Sequence, residues 1–129
     1  MDFDLILQRI FLTFLIDQEV ITAEQSTQIV QLQREKTPPI GKIALNRRIL
    51  SVQQISRVLN QQAESRLRFG EQAVALGYTD EATVTRLLAL QRQSRPSVST
   101  LLLELRCCPA KELAVHTKAF RSGLASAML

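Results

Sequence analysis

The chain repeats itself every 29 residues. Segments that begin at Ile10, Pro39, Arg68 and Ser97 align without a gap. A fixed period of this length is the sequence sign of an architecture assembled from like units, each too small to bury its own apolar face. The units cover residues 10–33, 39–62, 68–91 and 97–120, with five residues between one unit and the next. The second position holds Phe11, Ile40, Phe69 and Val98, and the seventh holds Ile16, Leu45, Val74 and Leu103. The twentieth holds Ile29, Val58, Leu87 and His116, and the twenty-fourth holds Gln33, Gln62, Gln91 and Phe120.

Each unit runs as a short apolar stretch, a break and a longer amphipathic stretch. The breaks carry helix-start chemistry. Thr22-x-x-Gln25 and Ser51-x-x-Gln54 fit capping boxes, in which a hydroxyl and an amide side chain satisfy orphan backbone donors. Thr79 or Asp80 is placed to cap the third unit, and Pro109 suits the first turn of a helix in the fourth. Apolar residues then recur at helical spacing, as in Ile55, Val58, Leu59 and Val84, Leu87, Leu88. No stretch alternates with period two. The expectation is an all-α fold of four stacked helix–turn–helix hairpins, one compact domain over 1–129 with a continuous core. Pro38-Pro39 and Arg95-Pro96 punctuate the joins.

At 129 residues, 46% hydrophobic and 22% charged, the chain suits a small globule. That size favours a binding or regulatory module over an enzyme. The longest apolar run, Phe3–Ile16, is broken by Asp4 and Arg9 and falls short of the roughly 20 residues of a membrane span. As a nearly all-apolar helix it is either core or an interface for a partner protein or a second copy. Cys107 and Cys108 are adjacent, which suits neither an unstrained disulfide nor zinc, so they read as small apolar residues in a reducing, cytoplasmic setting. His116 stands where other units have Ile, Val or Leu and reads as structural. The acidic residues make no acid–base pair. Gln33, Gln62 and Gln91 read as capping or hairpin-to-hairpin hydrogen bonding before they read as ligands.

Net charge is +4, and residues 39–70 set Lys42, Arg47, Arg48, Arg57, Arg66 and Arg68 against Glu64 alone. That segment is the first place to look for an anionic partner. Nucleic acid is disfavoured, because aromatic residues are few and no helix carries a dense basic stripe.

The third unit runs Arg68-Phe69-Gly70-x-x-Ala73-x-x-x-Gly77-x6-Val84-x3-Leu88-x-x-Gln91. This resembles the motif RLGxxLxxxGxxxxxxLxxxLxxQ of the MshEN domain, found at the N-terminus of type IV pilus and type II secretion ATPases. That family carries two such motifs in tandem with a five-residue spacer, as units two and three do here. The resemblance implies a receptor for the bacterial second messenger cyclic di-GMP. Degraded members imply instead a docking module for an assembly partner. No phosphate-binding loop of an ATPase is present.

The residues themselves are compatible with an anion. Gly41 and Gly70 fall near the start of a predicted helix, where backbone N–H groups can approach a phosphate. Arg68 can pair bidentately with a phosphate or a guanine edge. Ile40 and Phe69 offer flat contact for bases. The competing reading is that the glycines permit close helix packing and that Gly77 caps a helix. Unit two departs from the motif with Pro39 for arginine and Arg48 for glycine, and Ala44 and Ala73 replace larger aliphatics. Arg47, Arg48 and Lys42 compensate for the lost arginine only where the turn directs them inward. Leu12 and Ser99 replace the motif glycine in units one and four, which read as structural.

Overall fold

Helix starts follow the capping chemistry in the sequence. A computed structural model describes residues 3–128, and eight helices lie among them: α1 (Phe3–Asp17), α2 (Ala23–Lys36), α3 (Ile40–Asn46), α4 (Val52–Ser65), α5 (Phe69–Ala75), α6 (Glu81–Ser94), α7 (Val98–Glu104) and α8 (Ala110–Ala127). The fold is all-α; units two, three and four are each a seven-residue helix followed by a longer one, while in unit one α1, at 15 residues, is as long as α2, at 14. Both capping boxes form. Thr22 N–H donates to Gln25 Oε1 at 2.9 Å and Gln25 N–H to Thr22 Oγ1 at 3.1 Å; Ser51 and Gln54 repeat the exchange at the same distances. Asp80 rather than Thr79 caps α6, accepting from Thr83 N–H at 2.7 Å. Pro109 is the N-cap of α8, one residue before its first turn.

The first helix of every unit ends the same way. The tenth residue of each unit, Glu19, Arg48, Gly77 or Arg106, takes a left-handed conformation with φ of 59°, 59°, 76° and 55°. The next N–H then bonds back five residues into the helix: Val20 to Leu15, Ile49 to Ala44, Tyr78 to Ala73 and Cys107 to Leu102, at 2.8–3.0 Å. This is the Schellman closure, which satisfies carbonyls that a helix end leaves orphaned. Each accepting residue is buried, so the turn is anchored on the core in every unit.

The units associate in pairs and form two compact bodies, 37–95 and 1–36 with 96–129. In the 37–95 body the short helix of each unit packs on the long helix of the other, α3 on α6 and α5 on α4. In the other body α7 packs on α2 and α1 on α8. The buried residues accordingly form two clusters, where one core through all four units was expected. Ala44, Leu50, Val58, Ala73 and Leu87 centre one cluster. Phe11, Leu12, Leu15, Ile21, Ile29, Val98, Leu101, Leu102, Cys108 and Leu113 form the other. Reciprocal pairing explains the difference, since two units already close each other's apolar faces.

The recurrent glutamines clasp these pairs. Gln62 Nε2 donates to the carbonyl of Leu67, just ahead of unit three, at 2.9 Å. Gln91 Nε2 returns the bond to Pro38, just ahead of unit two, at 3.1 Å. In the other body Gln33 donates to Pro96, just ahead of unit four, at 2.9 Å, and to Gln8 Oε1 at 2.8 Å. The fourth clasp is missing because Phe120 stands in place of glutamine. Its ring packs instead on Phe11 and Phe14, with centroids 5.1 and 5.3 Å away. The hairpin-to-hairpin role expected of these glutamines is therefore observed.

Candidate functional site

The motif glycines of units two and three lie where α3 and α5 approach each other. A Cβ on Gly41 would stand 3.0 Å from the tip of the Phe69 ring, and one on Gly70 would stand 2.5 Å from Val84 Cγ1 and 3.5 Å from Ile40 Cδ1. The second-position side chain of each unit thus covers the third-position glycine of the other. Ile40, Gly41, Phe69 and Gly70 are brought together, and their immediate role is close helix packing. Gly77 is elsewhere, in the left-handed turn after α5, with open space where a Cβ would be.

In units two, three and four position one is the helix N-cap. Arg68 sits there with φ −66° and ψ 156°, and Pro39 sits there with φ −66° and ψ 150°. That φ is proline's own value, so Pro39 replaces the motif arginine without backbone strain. The Arg68 N–H donates to Glu71 Oε1 at 3.2 Å. A guanidinium has no acceptor to return, so this box is half formed. The Arg68 side chain is exposed, as are Lys42, Arg47 and Arg48.

Two grooves lie in the 37–95 body. One, of about 510 Å³, runs between α5 and α6 over Gly70, with Leu67, Val74 and Val84 on its walls. Glu71 and Glu81 also line it, which opposes a phosphate. The other, of about 460 Å³, is lined by Arg47, Ile49, Arg86, Leu87, Ala89 and Leu90. Only Arg47 of these was expected from the sequence. Arg86 was missed because it occupies position nineteen, which the motif leaves unspecified; its recurrence with Arg57, 29 residues earlier, was the available signal. Lys42, Arg48, Arg68 and Gly77 line neither groove.

Charge divides between the two bodies. Residues 37–95 hold nine basic and four acidic residues, a net +5, and the rest of the chain is −1. The remaining candidate chemistry is structural. Cys107 and Cys108 are unbridged, and burial raises both thiols above their ordinary pKa, so they stay protonated at neutral pH. His116 is half-buried with its ring edge-on to Phe14 at 6.3 Å. Among the described residues no group of three His, Cys, Asp or Glu is arranged to hold a metal ion, and no helix is long and apolar enough to cross a membrane.

Comparison with protein-family models, curated proteins and solved structures finds no match.

Proposed function

We propose that the chain is a non-catalytic regulatory module of the MshEN kind whose 37–95 body binds cyclic di-GMP. The observation that carries this reading is the pairing of units two and three. The two motif-bearing units pack reciprocally, Ile40 over Gly70 and Phe69 over Gly41, within the body that holds the chain's entire excess of positive charge. A ligand with two like halves and two phosphates matches two like units and a net charge of +5. With both glycine faces covered by side chains, the contacts fall to exposed arginines rather than to backbone N–H groups. The cellular setting in this reading is the bacterial cytoplasm, alongside secretion or pilus-type assembly.

Isothermal titration tests it. Micromolar or tighter binding of cyclic di-GMP, with no heat from GTP, is the expected result. Absence of binding at high micromolar ligand removes the reading. Arg68→Ala reports whether the motif arginine takes part.

A second reading, a docking adaptor for a protein partner, is favoured by one observation. On α1, Ile6, Leu7 and Ile10 are 38%, 42% and 47% exposed, while Phe11, Leu12 and Leu15 on the same helix are buried. Beside them lies a groove of about 310 Å³ lined by Leu7, Phe11, Phe120 and Leu124. A chain that is monomeric by light scattering and captures no partner that Ile6→Glu then releases would remove this alternative.

A further inference from the structure

We infer that the groove between Arg47 and Arg86 is the anion seat of the 37–95 body and takes a phosphate of a nucleotide, with a base against the Ile49–Leu90 wall. The inference rests on the nucleotide-binding reading above and assigns the site within it. Arg47 closes α3 in unit two, and Arg86 lies on α6 in unit three, so the two arginines line one groove from different repeats. Both lie at positions that the 24-residue motif leaves unspecified.

Three properties select the ligand. Two arginines offer planar forks that match phosphate oxygens two at a time, and a guanidinium stays charged at any working pH. Among the described residues neither arginine makes an ion pair with a carboxylate; Arg86 has only an electrostatic influence on Asp80, the cap of its own helix. The walls between them, Ile49, Leu87, Ala89 and Leu90, are apolar and suit the flat face of a base. The volume, about 460 Å³, is within the range of about 300–1,000 Å³ typical of small-molecule sites. The larger groove over Gly70 fails the first property, because Glu71 and Glu81 would face the phosphate.

The repeat supplies an internal comparison. Moving each lining residue by 29 positions gives the equivalent place in the same body: Leu76, Tyr78, Arg57, Val58, Asn60 and Gln61. There leucine replaces the first arginine. The second, Arg57, turns its Nη1 to the Tyr78 hydroxyl at 3.5 Å. One of the two related places therefore keeps a pair of arginines, and the other has a single arginine occupied by a phenol. A body built from two like units thus has one seat, and binding is one ligand per chain.

The test titrates cyclic di-GMP, cyclic di-AMP and GTP into the full chain and into Arg47→Ala, Arg86→Ala, Arg86→Gln and Arg57→Ala. All three positions are exposed, and unchanged melting temperatures check the fold of each variant. The expected result is a stoichiometry of one, with affinity weakened about tenfold to a hundredfold by each change at Arg47 or Arg86 and untouched at Arg57. Cyclic di-GMP binding that survives Arg47→Ala and Arg86→Ala overturns the seat and leaves the receptor reading standing. Binding only of another nucleotide, lost in Arg86→Ala, keeps the seat and overturns the cyclic di-GMP reading. No binding of any of the three overturns both.

Discussion

At the tenth position of every unit the backbone turns left-handed, and only Gly77 is a residue that does so freely. Glu19, Arg48 and Arg106 hold the same conformation because the Schellman bonds on either side fix it. Arg48→Gly and Arg106→Gly are each expected to stabilise the chain by about 0.5–1 kcal/mol, and Gly77→Ala to destabilise it by about as much, in urea unfolding. Gln33 is a second residue whose context sets its weight. It is 1% exposed, and its amide holds both the Pro96 carbonyl and Gln8. Gln33→Leu leaves those acceptors without their donor and is expected to lower stability by about 1–3 kcal/mol, more than Gln62→Leu on an exposed stretch of α4. Asp80 gives the pH dependence. Its bond from Thr83 N–H holds the carboxyl below its ordinary value of 3.8. Its contribution is therefore present above pH 3.8 and is lost as the pH falls through the lower folded value. Asp80→Asn keeps a cap acceptor and is expected to flatten that acid limb in melting curves taken from pH 5 down to about pH 2.

Between elements, the tightest fit is α5 against α6 at Gly70. An alanine there would place its Cβ 2.5 Å from Val84, a branched side chain that cannot withdraw without moving its helix. Gly70→Ala is expected to cost about 1–3 kcal/mol, and Gly41→Ala less, because only the tip of the Phe69 ring has to yield. The pair Gly70→Ala with Val84→Ala recovers part of the loss; a double variant no more stable than Gly70→Ala alone would show that the strain lies elsewhere. Much of this level was legible in the sequence. Capping boxes and apolar periodicity are local signals, and they placed the hairpins, the breaks and the role of the glutamines. The glycines carried two physical readings, phosphate approach and close packing. Choosing between them needs the residue opposite, and Val84 and Phe69 become opposite only once the units pair. Arg86 was hidden for the same reason, because its partner Arg47 is 39 residues away and on another repeat.

For the molecule as a whole, the period told that four like units must bury one another but not which would pair with which. Any two would satisfy the apolar pattern, and the clasps between Gln91 and Pro38 and between Gln33 and Pro96 record the choice that was made. The two bodies differ in what fills them. Two of the five buried residues centring the 37–95 cluster are alanines, whereas the other cluster has ten, including five leucines. Native-state hydrogen exchange is expected to resolve two cooperative groups of amides, with those of α3–α6 opening at the lower free energy. A single group with one opening energy would show that the clusters unfold as one.

The bond from Gln91 to Pro38 also bears on how the chain assembles. Units two and three are neighbours in sequence and meet by closing a short connection. Units one and four must find each other across the 59 residues between Lys36 and Pro96. The entropy of closing a loop grows with its length, so distant partners are slow to meet while the chain between them is unstructured. Once the middle pair has formed, that bond has already gathered the two ends of the intervening chain. The outer units then search as if joined by a short tether, so the inner pair is expected to form before the outer pair.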